Sequence, residues 1–234
     1  MAERTRADRF LRWRGGWAKA RPWRGHGDIA YLALSSGGVD AEIPGRCVDS
    51  LRERGYRSVV TGALAPADAL PFLDSGFTVR ERLDLLAHDM RSIPRPSRRT
   101  RRLRRSDTAA VLFVDRLAFD EEWRLDAAGF DDAIDATPSA RVRVAEEHDS
   151  IIGYSVTGRA GRRGYLQRVA VHPSAQRNGW GLELVADALC WLERRGVART
   201  MVNTQMGNDP ARQLYLACGF EVLPVGLCVL ERDL

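Results

Sequence analysis

The stretch VAVHPSAQRNGWGLELVADAL, Val169–Leu189, constrains the fold of this chain more than any other. Alternating apolar residues form a strand up to Pro173, which has no N–H to give a sheet ladder. Gly179 and Gly181 then sit where the loop enters a helix. The first turn of a helix leaves its N–H groups unpaired and outward-facing, and the helix dipole adds positive potential there. Such an entry holds an anion, phosphate above all. Two glycines let a ligand approach the backbone with no Cβ in the way, and Arg177 adds charge. A dinucleotide fingerprint needs a third glycine where Leu184 stands, and a P-loop needs a Gly-Lys-Ser/Thr that is missing. On this stretch alone, a glycine-rich helix entry without a ligand remains the alternative.

The neighbouring sequence reads as regular elements. DTAAVLFVDRLAF has helical apolar spacing with Asp107 as its cap, and EEWRLDAAGFDDAIDATP reads as a second helix ended near Pro138. ARVRVAE, IIGYSVTGRA and YLQRVAV are strands separated by turns. A helix from Gly179 to Arg195 stops at Gly196, RTMVNTQ is a strand, and NDPARQLYLAC is a helix stopped at Gly219. FEVLPVGLCVLERDL closes as strand material. Helix, helix, antiparallel strands and then β-α-β-α-β make a mixed α/β domain over 101–234. In front of it, Pro94, Pro96 and the seven arginines after Pro94 mark residues 92–100 as a linker.

The motif Gln176-x-x-Gly179-x-Gly181 after VAVHP, with NDPARQLYLACGF some thirty residues on, resembles the GNAT superfamily of N-acetyltransferases. The resemblance covers roughly Arg101–Leu234. It implies an α/β GNAT fold with a mixed, mostly antiparallel sheet flanked by helices and splayed at an acetyl-CoA site. It also implies that the loop Gln176, Arg177, Asn178, Gly179, Trp180 and Gly181 cradles the cofactor's pyrophosphate. The strand Val169, Ala170, Val171 would run beside the pantetheine arm, pairing with it through the backbone of Val169 and Val171. Asn208 would contact the same arm, and Tyr215 would sit near the sulfur as proton donor. These roles suit the chemistry: a thioester under attack builds charge that a backbone N–H stabilises, and a leaving thiolate takes a proton from a hydroxyl.

The general base is less legible. Relatives that acetylate ribosomal-protein N-termini carry a glutamate where this chain has Asn203, and Gln167 offers no carboxylate either. Glu121 and Glu122 are the candidates, acting through water, with solvated helix-start carboxylates as the plainer reading. His172 reads as loop, and Trp123 lines the acceptor pocket or simply packs.

The front of the chain echoes the back. Leu51–Val79 aligns with Leu192–Val222 at a displacement of 141 through Gly55 and Gly196, and 143 through Gly76 and Gly219. An internal repeat is the reading, a chance match of Gly-capped helices and strands the alternative; in the repeat Phe72 stands where Tyr215 stands and Ala65 in place of Asn208. Gly37-Gly38 does not reproduce the anion-loop motif. Residues 27–91 therefore read as a degenerate GNAT-like half without a cofactor site, helping to wall the acceptor pocket, and 101–234 as the catalytic domain. Residues 1–26 interleave arginine with Trp13, Trp17 and Trp23; they read as an arm packed on the domain, with nucleic-acid binding by phosphate contacts and stacking as the alternative.

A net charge of +5 suits an anionic cofactor and is too small to argue for nucleic acid. No apolar run reaches the roughly 20 residues of a membrane span. Cys47, Cys190, Cys218 and Cys228 lack metal or redox spacing, so no metal site and a reducing cytoplasmic setting are expected. The expected function is direct acetyl transfer from acetyl-CoA to a primary amine of a small molecule or protein N-terminus. A non-catalytic acyl-CoA sensor or scaffold is the alternative.

Overall fold

The computed structural model describes residues 9–14, 16–34 and 41–234. Gly37 and Gly38, and residues 1–8 of the expected arm, lie outside these. The chain divides into two compact units, Met1–Asp84 with Pro224–Leu234, and Leu85–Leu223.

The first unit opens with three strands, β1 (Arg9–Trp13), β2 (Gly16–Trp23) and β3 (His26–Leu34). Residues 9–13 and 16–23, expected as part of an arm, are thus sheet. The cause is alternation: Leu11, Ala18 and Ala20 face the core while Phe10 and Trp17 face out, and the outward aromatics hide the usual polar half of the pattern. Helix α1 (Ile43–Glu53) follows, burying Ile43, Cys47, Val48 and Leu51 on one face. Strand β4 (Ser58–Thr61), helix α2 (Pro66–Asp74) and strand β5 (Thr78–His88) complete this passage, the last four residues of β5 falling in the second unit.

In the second unit, the short strand β6 (Arg101–Arg102) precedes a 3-10 turn at Arg105–Asp107 and helix α3 (Thr108–Ala118). Asp107 does not cap α3. Its carboxylate accepts from the Arg104 amide at 2.6 Å and from the Arg101 guanidinium at 2.6 and 3.1 Å. The expected second helix is broken. A 3-10 turn at Glu121–Trp123 comes first, and α4 (Ala127–Asp135) starts only after Asp126, whose Oδ1 accepts from the Gly129 amide at 2.7 Å. That cap satisfies a first-turn donor and fixes the helix start there.

Strands β7 (Ser139–Glu147), β8 (Ser150–Ala160) and β9 (Arg163–Val171) are antiparallel neighbours. Helix α5 (Trp180–Glu193), strand β10 (Arg199–Gln205), helix α6 (Asp209–Ala217) and strand β11 (Glu221–Val222) follow. The order β10-β9-β8-β7-β6 is antiparallel except for β9 and β10. Helices α3 and α4 pack on one face around Val111, Val114, Phe130, Val144 and Tyr154. On the other face Val185 and Leu189 of α5 and Tyr215 of α6 join Leu166 and Val202 in one cluster.

Residues 92–100, expected as a linker, are docked at several points. Ile93 is buried, Arg95 pairs with Glu193 at 2.6 and 3.2 Å, and the Ser97 and Arg98 amides donate to Glu183 at 2.7 and 3.0 Å. Proline excludes regular structure here without excluding docking, and the segment runs along α5.

The final strand, β12 (Leu227–Asp233), returns to the first unit and pairs antiparallel with both β4 and β5, giving the order β1-β2-β3-β4-β12-β5. The expected boundaries assigned it to the back half. Its long-range pairing leaves no mark in local sequence.

Candidate active site

Strand β9 of the second unit carries a defect. Opposite β8, Val156 pairs with Arg168 and Thr157 with Leu166, so Gln167 is an extra residue, a β-bulge. On its other side β9 pairs with β10 only at Arg163–Arg199, Gly164–Thr200 and Tyr165–Met201. Beyond Tyr165 the two strands part, and β9 keeps no pairing to β10 through Leu166–Val171. A parallel pair that separates within the sheet leaves backbone donors and acceptors free to take an extended ligand as a substitute strand. Val169, Ala170 and Val171 lie on this stretch, held on the β8 side by Ser155, Tyr154 and Gly153.

The loop after β9 is shaped from within. His172 Nδ1 accepts from the Ser174 amide at 3.2 Å, starting a 3-10 turn at Pro173–Ala175. Gln176 turns its side chain back and donates Nε2 to the Val171 carbonyl at 3.0 Å. Arg177 has φ of 60° and Gly179 of 83°, and left-handed residues in such a loop turn successive amides toward one concave side. Helix α5 starts on Gly179 with no side-chain cap. The first backbone bond into it runs from the Glu183 amide to the Gly179 carbonyl. Among the described residues, no protein acceptor takes the amides of Gly179, Trp180, Gly181 and Leu182. Arg177, Asn178 and Gly179 are exposed.

The two glycines do different work. A Cβ on Gly179 would meet open space, so its left-handed backbone is what calls for glycine. A Cβ on Gly181 would come within 3.0 Å of Leu214, so Gly181 lets α6 approach α5. The Trp180 ring is turned inward, its Nε1 donating to Glu147 at 3.3 Å and its face covered by Arg98. It anchors the helix start and leaves only backbone to the loop.

Asn208 is the N-cap of α6, its Oδ1 accepting from the Ala211 amide at 3.2 Å. Tyr215, seven residues on, is 6% exposed and packs against Phe220. Burial pushes its phenol up to about 12, with the Arg168 charge working against the rise. It therefore holds its proton throughout the neutral range. Glu121 and Glu122 are exposed on the 3-10 turn before α4. Asn203 is exposed on β10. His172 stacks on Phe113, ring centroids 6.3 Å apart.

The sequence reading missed the charged pair beneath this site. Asp115 of α3, fully buried, accepts two bonds from Arg168 of β9 at 2.8 and 2.9 Å, one from the Tyr154 hydroxyl at 2.5 Å and one from the Leu125 amide at 2.7 Å. Arg168 also donates to the Trp123 carbonyl at 2.6 Å. Two signals were available: an arginine inside the apolar strand YLQRVAV, and an aspartate on the buried face of VLFVDRLAF.

A model of the acetyltransferase (GNAT) family matches residues 103–220. No curated protein matches in sequence. Among solved structures, a GCN5-related N-acetyltransferase from Kribbella flavida is 16% identical, over 97% of this chain and 90% of that one, with a TM-score of 0.65. A GCN5-related N-acetyltransferase from Sphaerobacter thermophilus is 14% identical, over 94% and 76%, with a TM-score of 0.62. A tandem GNAT protein from the clavulanic acid biosynthesis pathway is 13% identical, over 94% and 79%, with a TM-score of 0.63. At such identities the likeness is one of fold.

Proposed function

The chain belongs to the GNAT acetyltransferase family, and from that premise we propose that it moves an acetyl group from acetyl-CoA directly to a primary amine of a small molecule or a protein N-terminus. The observation that carries this reading is the parting of β9 from β10 beside an uncapped helix start. The residues present fit the cofactor: free amides at Gly179–Leu182 suit a pyrophosphate, and the free edge of β9 suits a linear amide arm. When bound, acetyl-CoA supplies an acetyl group activated as a thioester.

The chain's own groups do the rest. The loop Gln176–Gly181 binds, with Gln176 fixing the loop to Val171 and Arg177 adding charge. Backbone N–H groups on the free edge of β9 stabilise the negative charge that builds as an amine adds to a carbonyl carbon. Tyr215 gives its proton to the departing thiolate. Asn208 holds the start of α6, and so Tyr215, in place. Glu121 and Glu122 are the carboxylates assigned to take the amine's proton through water. Holding amine and thioester together supplies much of the remaining acceleration.

Calorimetry with acetyl-CoA tests the reading, on the wild type and on Arg177→Glu, an exposed change that reverses charge at the loop. Binding by the wild type that weakens about tenfold or more in the variant is expected. A wild type that takes up no acetyl-CoA would sink the proposal.

A further inference from the structure

One guanidinium in the second unit is only partly used. Arg168 spends Nε and Nη2 on Asp115, and Nη2 again on the Trp123 carbonyl. The Phe119 ring covers one of its faces, with Cζ 3.4 Å from the ring centroid. Among the described residues nothing accepts from Nη1. The side chain is only 11% exposed. Nη1 is not among the fully buried side-chain atoms left without a partner, so it keeps an opening to solvent through which a ligand's acceptor can reach it. Asp115 is already engaged by Arg168, Tyr154 and Leu125. It neutralises the guanidinium, so Nη1 offers a strong donor without a net charge. A neutral carbonyl oxygen suits such a donor better than a second carboxylate, which would have to be desolvated for little Coulomb return.

The position of Arg168 says whose oxygen. It stands on β9 past Tyr165, in the stretch that has parted from β10. The bulge at Gln167 turns it to the face covered by α3 and α4. There it holds the turn carrying Glu121 and Glu122 from both ends, through the Phe119 ring and the Trp123 carbonyl.

We propose that Arg168 is a specificity-determining residue: Nη1 receives a carbonyl oxygen of the acceptor close to its amine, so that the site takes α-amino carbonyl compounds, and Asp115 holds the guanidinium in position for this. The inference rests on the transferase reading above. A matched pair of acceptors tests it: phenylalaninamide, which has the carbonyl, and 2-phenylethylamine, which lacks it. Calorimetry on the CoA-saturated protein measures the binding of each without turnover, and thiol release from acetyl-CoA measures kcat/KM. The wild type should favour the amide by about tenfold or more in both. Arg168→Lys keeps a cation for Asp115, so its thermal midpoint and acetyl-CoA affinity report the fold. It should lose the preference through KM while acetyl-CoA binding is retained. Equal treatment of the two amines by the wild type, or a preference that survives in Arg168→Lys, overturns the proposal. If the protein takes up no acetyl-CoA, the transferase reading fails first and this inference with it. If acetyl-CoA binds and only the acceptor preference is missing, this inference alone fails.

Discussion

Helices α2 and α6 are the same device built twice. Each is nine residues long with proline in its first turn. Each ends at a glycine with positive φ, 84° at Gly76 and 88° at Gly219. In each a phenylalanine amide reaches back to an aromatic residue's carbonyl, Phe77 to Phe72 at 3.1 Å and Phe220 to Tyr215 at 3.0 Å. The preceding helices match too: the Tyr56 amide bonds Leu51 and the Val197 amide bonds Leu192, both at 3.2 Å. What differs is the strand between. In the first unit β4 stays paired with β3 over all four of its residues. In the second, β10 leaves β9 after three of seven. An identical frame is therefore closed in one copy and open in the other. The side chains differ along with it: Tyr215 and Asn208 stand in the copy whose strands part, Phe72 and Ala65 in the copy whose strands stay paired.

The comparison can be broken or sharpened by exchange. The largest effect is expected from Asp115→Ala, which strands the Arg168 charge in the second unit, at a cost of about 3–5 kcal/mol. Urea unfolding would measure it, and hydrogen exchange should show lost protection in residues 101–220 well before 41–84. Uniform loss across both would mean the units do not open separately. Next comes the aromatic exchange. Tyr215→Phe should cut kcat about 100-fold while leaving acetyl-CoA affinity alone, whereas Phe72→Tyr buries an unpartnered hydroxyl and should cost about 1–3 kcal/mol with no change in kcat. Undiminished turnover in Tyr215→Phe would leave the two copies chemically alike at this position.

The cap exchange is smaller. Asn208→Ala should cost about 1 kcal/mol, and Ala65→Asn, at an N-cap with no side-chain bond, should return a similar amount. Thermal midpoints of both variants would show opposite signs if the two helix starts are equivalent. The least effect is on acid stability. Bonds from Arg101 hold Asp107 and Glu146 below the usual carboxylate range. Burial works to raise Glu183, but bonds from Ser97 and Arg98 outweigh it and leave it low. Carboxylates lowered by folding bind protons more readily once unfolded, so their contribution is present above about pH 4 and is lost as pH falls. All three lie in the second unit. Exchange protection there should decline first on acidification, and an earlier loss in residues 41–84 would contradict this.

Much of the second unit was legible because its signals are local. Gly179, Gly196 and Gly219 stand where the backbone turns left-handed, and Asn-Asp-Pro announces a capped helix start at Asn208. The repeat was readable for the same reason. The Asp115–Arg168 pair joins residues 53 apart, and no spacing rule connects them; only the oddity of each charge in its apolar surroundings was visible. Gln176 and Gly181 were read only as facing a ligand; Gln176 also braces Val171, and Gly181 also makes room for Leu214. Sequence identifies a residue suited to a tight place without saying which neighbour makes it tight.

The placement of β12 has a consequence for the order of events during synthesis. Leu230 donates its amide to the Thr61 hydroxyl across 169 residues, and Glu231 meets Arg80 across 151. On a ribosome the first unit emerges first, yet its sheet waits with β4 and β5 unjoined until the whole second unit has been made. Domains generally fold as units while the chain emerges, so the later-emerging unit is the one free to fold first. An unfilled slot between two strands is an invitation to mispairing. Over that interval the newborn chain depends on whatever shields it, and making this protein is more demanding than its finished fold suggests.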